Sequence, residues 1–386
     1  MAGKAIINTV ISLQPEIWKR LLKICRGDRV GSAYLFSGSP GCGKEGVAIA
    51  FSCGLNCSNV ANPLCGECHS CKQFHSLQHE HVTFLVPLPG SNSGKAGEQG
   101  GKIKDQKNVE LFQAALEEKS KNSFHKITLP RAKQILIGSV RNLRKTLYLK
   151  TQTHGRKTVL IFDAHLLSAG QGTAGNALLK ILEEPPNNTT IILVTDYKEQ
   201  LSPTLLSRCQ HIDFPPIDQS TMRSYFVDIG IESELIPILA EISQGDMHKA
   251  CSLFGKSKEE ILGMMGEIVS LVFSEKASSW RHFINEYSRL AYTNPTEFRF
   301  RVYLLQLWIW SIYKEKSGVR KNSFYLGKEN GMESIVQKLL NTDIHILNAH
   351  LEEILRGLNR NLNTSLALTN LLIKIHREIQ SDKTYA

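Results

Sequence analysis

The stretch Ala33–Glu45, AYLFSGSPGCGKE, limits the possible fold more than any other part of the chain. Its apolar start predicts a short strand over Ala33–Phe36 and its glycines predict a tight turn. The run Val47-Ala48-Ile49-Ala50-Phe51 then predicts a helix. Gly38, Gly43 and Lys44 stand at the spacing G-x-x-x-x-G-K, with Gly41 between them. In a strand–turn–helix setting this spacing cradles phosphate, because glycines let backbone N–H groups converge on an anion at a helix N-terminus. A serine or threonine that holds magnesium is expected next. The chain has Glu45, whose carboxylate would repel the β- and γ-phosphates or meet a metal directly.

Soon after this helix comes Cys57-x7-Cys65-x2-Cys68-x2-Cys71. Four thiolates at such short spacings can close a tetrahedron around Zn2+, and Gly66 allows the sharp turn. A site closed by four thiolates has no open position for water, so its role is structural. Cys53 is a rival fourth ligand, read more simply as a core residue of the helix. His69, His75, His79 and His81 lie close by and are read as solvated or packed. The chain has nine cysteines, and the clustering of four of them points to metal ligation in a reducing compartment rather than to disulfides.

Buried strands are expected over Val82–Val86, Thr158–Asp163, Thr190–Thr195 and Gln210–Phe214, each a short apolar run. Helical spacing over Asn108–Lys119 and Asn176–Glu184 alternates with them, the second helix stopped by Pro185-Pro186. Thr128-Leu129-Pro130 is read as opening a further helix. Its apolar side carries Ile135, Leu136, Val140, Leu143 and Leu147, and its other face Arg131, Lys133, Arg141, Arg144 and Lys145. Strands alternating with helices imply an α/β fold with a parallel sheet covered on both faces. Gly90–Lys107 reads as a solvated surface loop. After Pro215-Pro216 the strand patterns stop, and three short helical patterns follow over Ser220–Asp228, Ser233–Ser243 and His248–Phe254. Apolar stripes in Ile261–Phe273, Phe298–Tyr313 and Ile344–Ile379 make the rest helical. The chain thus divides into an α/β domain over 1–215, a three-helix domain over 216–255 and a helical domain over 256–386.

The net charge of +10 favours a polyanionic partner. The N-terminus lacks the continuous apolar core of a signal peptide, and Val302–Tyr313, the most apolar window, is too short to span a bilayer. A cytoplasmic protein with no membrane partner is expected.

The cysteine insert after the phosphate-loop helix, N-A-L-L-K-I-L-E-E-P-P at 176–186 and S-R-C at 207–209 together resemble the delta-prime subunits of the bacterial DNA polymerase III clamp loader, relatives of gamma/tau. The resemblance covers about residues 5 to 255 well and implies an AAA+ P-loop domain, a three-helix lid and a C-terminal helical collar that assembles a hetero-oligomer. It implies gamma/tau and delta type subunits, a sliding clamp and primed DNA as partners, in DNA replication and with DNA binding. Gly38, Gly41, Gly43 and Lys44 would form a degenerate cradle, with Asp163 near the magnesium shell and Thr195 as the sensor. Active members continue that Asp with a Glu that activates water. Here the sequence is Asp163-Ala164-His165, and His165 is expected to point elsewhere if the strand keeps its alternation. His248 takes the place of the lid's arginine, and a mostly neutral imidazole stabilises phosphate charge poorly. Glu45, Ala164 and His248 together imply no ATPase activity of the chain's own, and ATP binding without turnover stays open. Arg208 in S-R-C would reach a neighbour's γ-phosphate in trans. The alternatives are an active ATPase of gamma/tau type and a free-standing zinc-dependent DNA-binding protein.

Overall fold

The computed structural model describes residues 10–27, 29–89, 106–130, 132–149, 155–317, 333–340, 342–357 and 363–381. Most of the Gly90–Lys107 stretch, and Arg131 of the basic face, lie outside these.

Five strands form one sheet: β1 (Ala33–Gly38), β2 (Val82–Leu85), β5 (Lys157–Ile161), β6 (Thr189–Thr195) and β7 (Gln210–Phe214). Their order is β2-β5-β6-β1-β7 and every pairing is parallel, so all their C-terminal ends meet at one edge. A separate short ribbon pairs β3 (Leu88–Pro89) antiparallel with β4 (Ala132–Gln134).

The side-chain period of two explains how the sheet is covered. Along β1, Ala33 and Leu35 face one layer with Val159, Ile161, Ile191 and Leu193. They pack there against Val140, Leu143 and Leu147 of helix Ile137–Tyr148, and against Leu178, Ile181 and Leu182 of helix Thr173–Glu183. Tyr34 and Phe36 face the other layer, where their ring centroids lie 5.4 Å from Phe51 and 5.2 Å from Phe214. Phe51 belongs to helix Lys44–Leu55, which is buried on nearly all sides, as its apolar sequence requires. Helix Thr173–Glu183 stops where expected: Glu184 leaves the helical region before Pro185-Pro186.

One expected helix is shorter than its sequence pattern. Thr128-Leu129-Pro130 does not open it. Residues Ala132–Gln134 are extended in β4, and the helix begins at Ile137 with Leu136 as its cap. Pairing of Gln134 with Leu88, and an amide of Ile135 donating to the Leu166 carbonyl at 3.3 Å, hold this segment out of the helix. Long-range backbone hydrogen bonds thus override a local pattern.

The described residues form two compact units, one of residues up to Ile231 with Ser243–Ser252, the other of Glu232–Ile242 with the residues from Leu253 onward. The first unit holds the sheet and the helices Gln219–Asp228 and Met247–Cys251. The second is helical throughout its described residues. Helices Lys258–Val272, Ala277–Thr293 and Pro295–Lys316 surround Trp308, Phe283, Tyr287 and Phe298, all of which are fully buried. Lys258–Val272 starts with a capping box, Ser257 and Glu260 each bonding the other's backbone N–H. The Ile344–Ile379 stripe is two helices, Ile344–Gly357 and Thr364–Ser381. No described helix is long and apolar enough to cross a membrane.

Candidate functional site

The loop after β1 lies at the edge where the strands end, where open α/β sheets bind ligands. Gly43 adopts φ +90° and caps helix Lys44–Leu55 without a side-chain hydrogen bond. Gly41, at φ +69°, has its carbonyl bonded by the Met247 amide at 3.1 Å. A Cβ on Gly41 would lie 1.8 Å from an Asp246 oxygen, so the start of helix Met247–Cys251 rests directly on the loop. Gln14 fastens the loop from its other side, its amide donating to the carbonyls of Cys42 (3.0 Å) and Pro215 (2.9 Å).

Lys44 is buried and turned inward. Its Nζ donates to the carbonyls of Gly38 (3.0 Å) and Ser39 (2.7 Å) and pairs with Asp196 at 2.8 Å. Asp196 also meets Lys126 at 3.3 Å, and Lys126 pairs with Asp163 at 2.8 Å. Burial alone would raise the Asp196 carboxyl, but Lys126 and Lys44 outweigh it and bring it down to about 2. The same carboxylates hold Lys126 above the ordinary lysine range against its burial.

Glu45 makes a second buried pair, with Lys119 of helix Gln106–Lys121, and Lys119 also donates to the His125 carbonyl at 2.7 Å. Burial works against charge on both partners. It lowers Lys119, while on Glu45 the Lys119 and Lys126 cations overcome it and hold the carboxyl low. Gly41, Gly43, Lys44, Glu45, Lys119, Phe124, Asp196 and His248 line a partly open pocket with about 10 Å3 of space for a water-sized sphere. That is the room of about one water molecule. Burial lowers the His248 imidazole, so it is neutral at pH 7.

Asp163 and Thr195 are both at this edge, but neither is free. Asp163 lies beyond the end of β5 in the left-handed region, φ 49°, and starts a short 3-10 turn, Ala164–Leu167. That turn ends the strand alternation and brings His165 toward the cradle edge rather than elsewhere. Its Nδ1 lies 3.2 Å from the Thr195 hydroxyl, which also accepts the Tyr197 amide at 3.0 Å. Ala164 is buried and offers no base. Spacing pointed to the loop glycines and Lys44, and the resemblance to Asp163 and Thr195. Both missed Lys119, Lys126, Asp196, Gln14 and Asp246, which reach the loop from distant segments. Asp196 alone had a local signal, its place directly after the buried run Thr189–Thr195.

The sulfurs of Cys57, Cys65, Cys68 and Cys71 all lie within 4.8 Å of one another. Separations of 3.6 Å for Cys57–Cys65 and Cys57–Cys71, and 4.0 Å for Cys65–Cys71, match the edge of about 3.8 Å in a tetrahedron with zinc–sulfur bonds of about 2.3 Å. The amides of Cys68 and Cys71 donate to the sulfurs of Cys65 and Cys68, each at 3.4 Å. At Cys68 burial acts upward, yet the Cys71 and Ser58 amides and the neighbouring Cys71 and Cys65 thiols bring the Cys68 thiol down to about 6. The donor set fits Zn2+. His79 is packed against Phe74, ring centroids 4.5 Å apart, with Ser70 at 2.9 Å, and is not drawn to the sulfurs.

Arg208 follows the short helix Pro203–Leu206 and is over a third exposed. Nη2 pairs with Glu183 at 2.7 Å and Nη1 donates to the Thr204 carbonyl at 3.1 Å. Arg141, Arg144 and Lys145 are exposed on helix Ile137–Tyr148, as their pattern suggested.

The strand order, the glycine loop between β1 and a buried helix, and the residues gathered at the strand ends define a P-loop α/β module of the AAA+ class, its cradle filled from within. The chain belongs to the family described as "DNA polymerase III, delta subunit", which matches residues 13–218. It is 26% identical over 231 residues to DNA polymerase III subunit delta' of Bacillus subtilis, 60% of this chain and 56% of that one. It is 24% identical over 379 residues to subunit delta' of Escherichia coli, 95% of each chain. To subunit tau/gamma of Haemophilus influenzae it is 29% identical over 249 residues, 62% of this chain and 29% of that one. The chain thus spans less than two thirds of the Bacillus and Haemophilus relatives.

Proposed function

We propose that this chain is a delta-prime-type subunit of the DNA polymerase III clamp loader that neither binds nor hydrolyses ATP. It joins gamma/tau and delta type subunits in a hetero-oligomer that loads a sliding clamp on primed DNA. The observation that carries this reading is the filled cradle. Lys44, the cation that would meet β- and γ-phosphates, is paired with Asp196, and Glu45 in the first turn of the helix is paired with Lys119. Admitting nucleotide would mean turning Lys44 away from Asp196, and a buried charge that loses its partner without a replacement costs about 3–5 kcal/mol. The shared delta' name of two relatives, one matched along almost its whole length, supports the same subunit type.

In this reading the domain over 1–215 is the AAA+ module, 216–255 the lid and 256–386 the collar. Cys57, Cys65, Cys68 and Cys71 hold one structural zinc. Arg208 serves a neighbour's ATP site: its guanidinium is anchored on the surface by the exposed Glu183, an arrangement a partner's phosphate can replace. Against developing phosphoryl charge such an arginine is worth about 10³-fold in rate. Reconstitution of the loader with Arg208→Ala tests this. The variant assembles as before and clamp-dependent ATP turnover falls by up to that factor. Unchanged turnover would remove the role. Turnover by the isolated chain at ordinary AAA+ rates would favour the gamma/tau-type ATPase instead.

A further inference from the structure

Cys53 is a fifth sulfur beside the four-cysteine cluster. It lies in helix Lys44–Leu55, fully buried, and its Sγ stands 3.7 Å from Cys71 Sγ, with the Cys53 thiol as donor. That separation equals the ligand–ligand spacings within the cluster, yet Cys53 is not one of the four sulfurs that surround a common point. Cys57, Cys65, Cys68 and Cys71 offer the four sulfurs a tetrahedral zinc site needs, so a fifth thiol has no metal position to take. At 3.7 Å an S–H on Cys53 points at the Cys71 sulfur.

We propose that Cys53 is a positioning residue of the metal centre, donating an S–H···S hydrogen bond to the Cys71 thiolate. This rests on the zinc reading above. The bond withdraws charge from Cys71, fixes the orientation of its lone pairs, and joins the cysteine knuckle to the helix that begins at Lys44. Partners of metal ligands that act in this way typically contribute 10–100-fold to metal affinity.

The test uses the full chain with zinc, and with Co2+ as a spectroscopic probe. Wild type binds one metal per chain. Cys53→Ala is expected to weaken zinc binding at least 10-fold. It should also move the sulfur-to-cobalt charge-transfer band to lower energy while keeping the four-sulfur spectrum. Cys53→Val, which fills the space that alanine leaves but cannot donate, gives the same shift. Cys53→Ser, which keeps a donor, restores most of both. Unchanged affinity and band position in Cys53→Ala and Cys53→Val would overturn the proposal. So would loss of the four-sulfur spectrum, which would make Cys53 a ligand, or failure of serine to restore what alanine loses. One tightly held zinc in all forms would sink this inference alone, whereas no metal in wild type would sink the zinc reading with it.

Discussion

At Glu45 the side chain that should hold magnesium has become half of a buried ion pair, and at Lys44 the phosphate cation has turned to a carboxylate of its own chain. The two pairings lie side by side in the loop, and Asp196 is shared between Lys44 and Lys126. Asp196 gives a measurable consequence. Its folded value near 2 lies below the ordinary 3.8, so its stabilisation is complete above about pH 4 and is lost as pH falls through about 2. At about 1.4 kcal/mol per unit, that amounts to about 2 kcal/mol. Urea unfolding of wild type between pH 7 and 2 should show this loss, and Asp196→Asn should lack it. An identical acid limb in both would contradict the pairing. The sequence made half of this arrangement legible. Gly38, Gly41, Gly43 and Lys44 announce themselves by spacing, and Glu45 by standing where a hydroxyl belongs. Lys119 and Lys126 carry no such mark, because an ion pair across 74 positions of sequence leaves no local pattern.

Among the elements, the strands were the most legible. Apolar runs such as Thr189–Thr195 are buried at every position, and nothing but a covered parallel sheet accommodates several of them. The segment around Pro130 was misread because its apolar spacing fits a helix, while the pairing of Gln134 with Leu88 that makes it a ribbon involves residues far apart. The turn after Ile161 was misread for a similar reason. Alternation was carried through Asp163, but φ 49° there reverses the path and presents His165 to Thr195. The contact of helix Met247–Cys251 with the phosphate loop yields a prediction at this scale. Gly41→Ala forces an L-residue to φ +69° and drives its Cβ against Asp246. A loss of about 1–3 kcal/mol is expected in urea unfolding. An unchanged midpoint would mean that the helix does not bear on the loop.

For the whole molecule, the alternation of strands and helices announced the α/β unit, and the helical remainder followed from the apolar stripes up to Thr364–Ser381. What the motif could not reveal was the state of its own cradle, since the same glycines serve an open site and a filled one. A cradle in which Lys44 is held by Asp196 should exclude nucleotide. Equilibrium dialysis of labelled magnesium–ATP against the isolated, zinc-loaded chain tests it most directly. No saturable binding is expected up to about 1 mM, a limit equivalent to about −4 kcal/mol of binding free energy. Saturable binding in the micromolar range, at one ATP per chain, would contradict it.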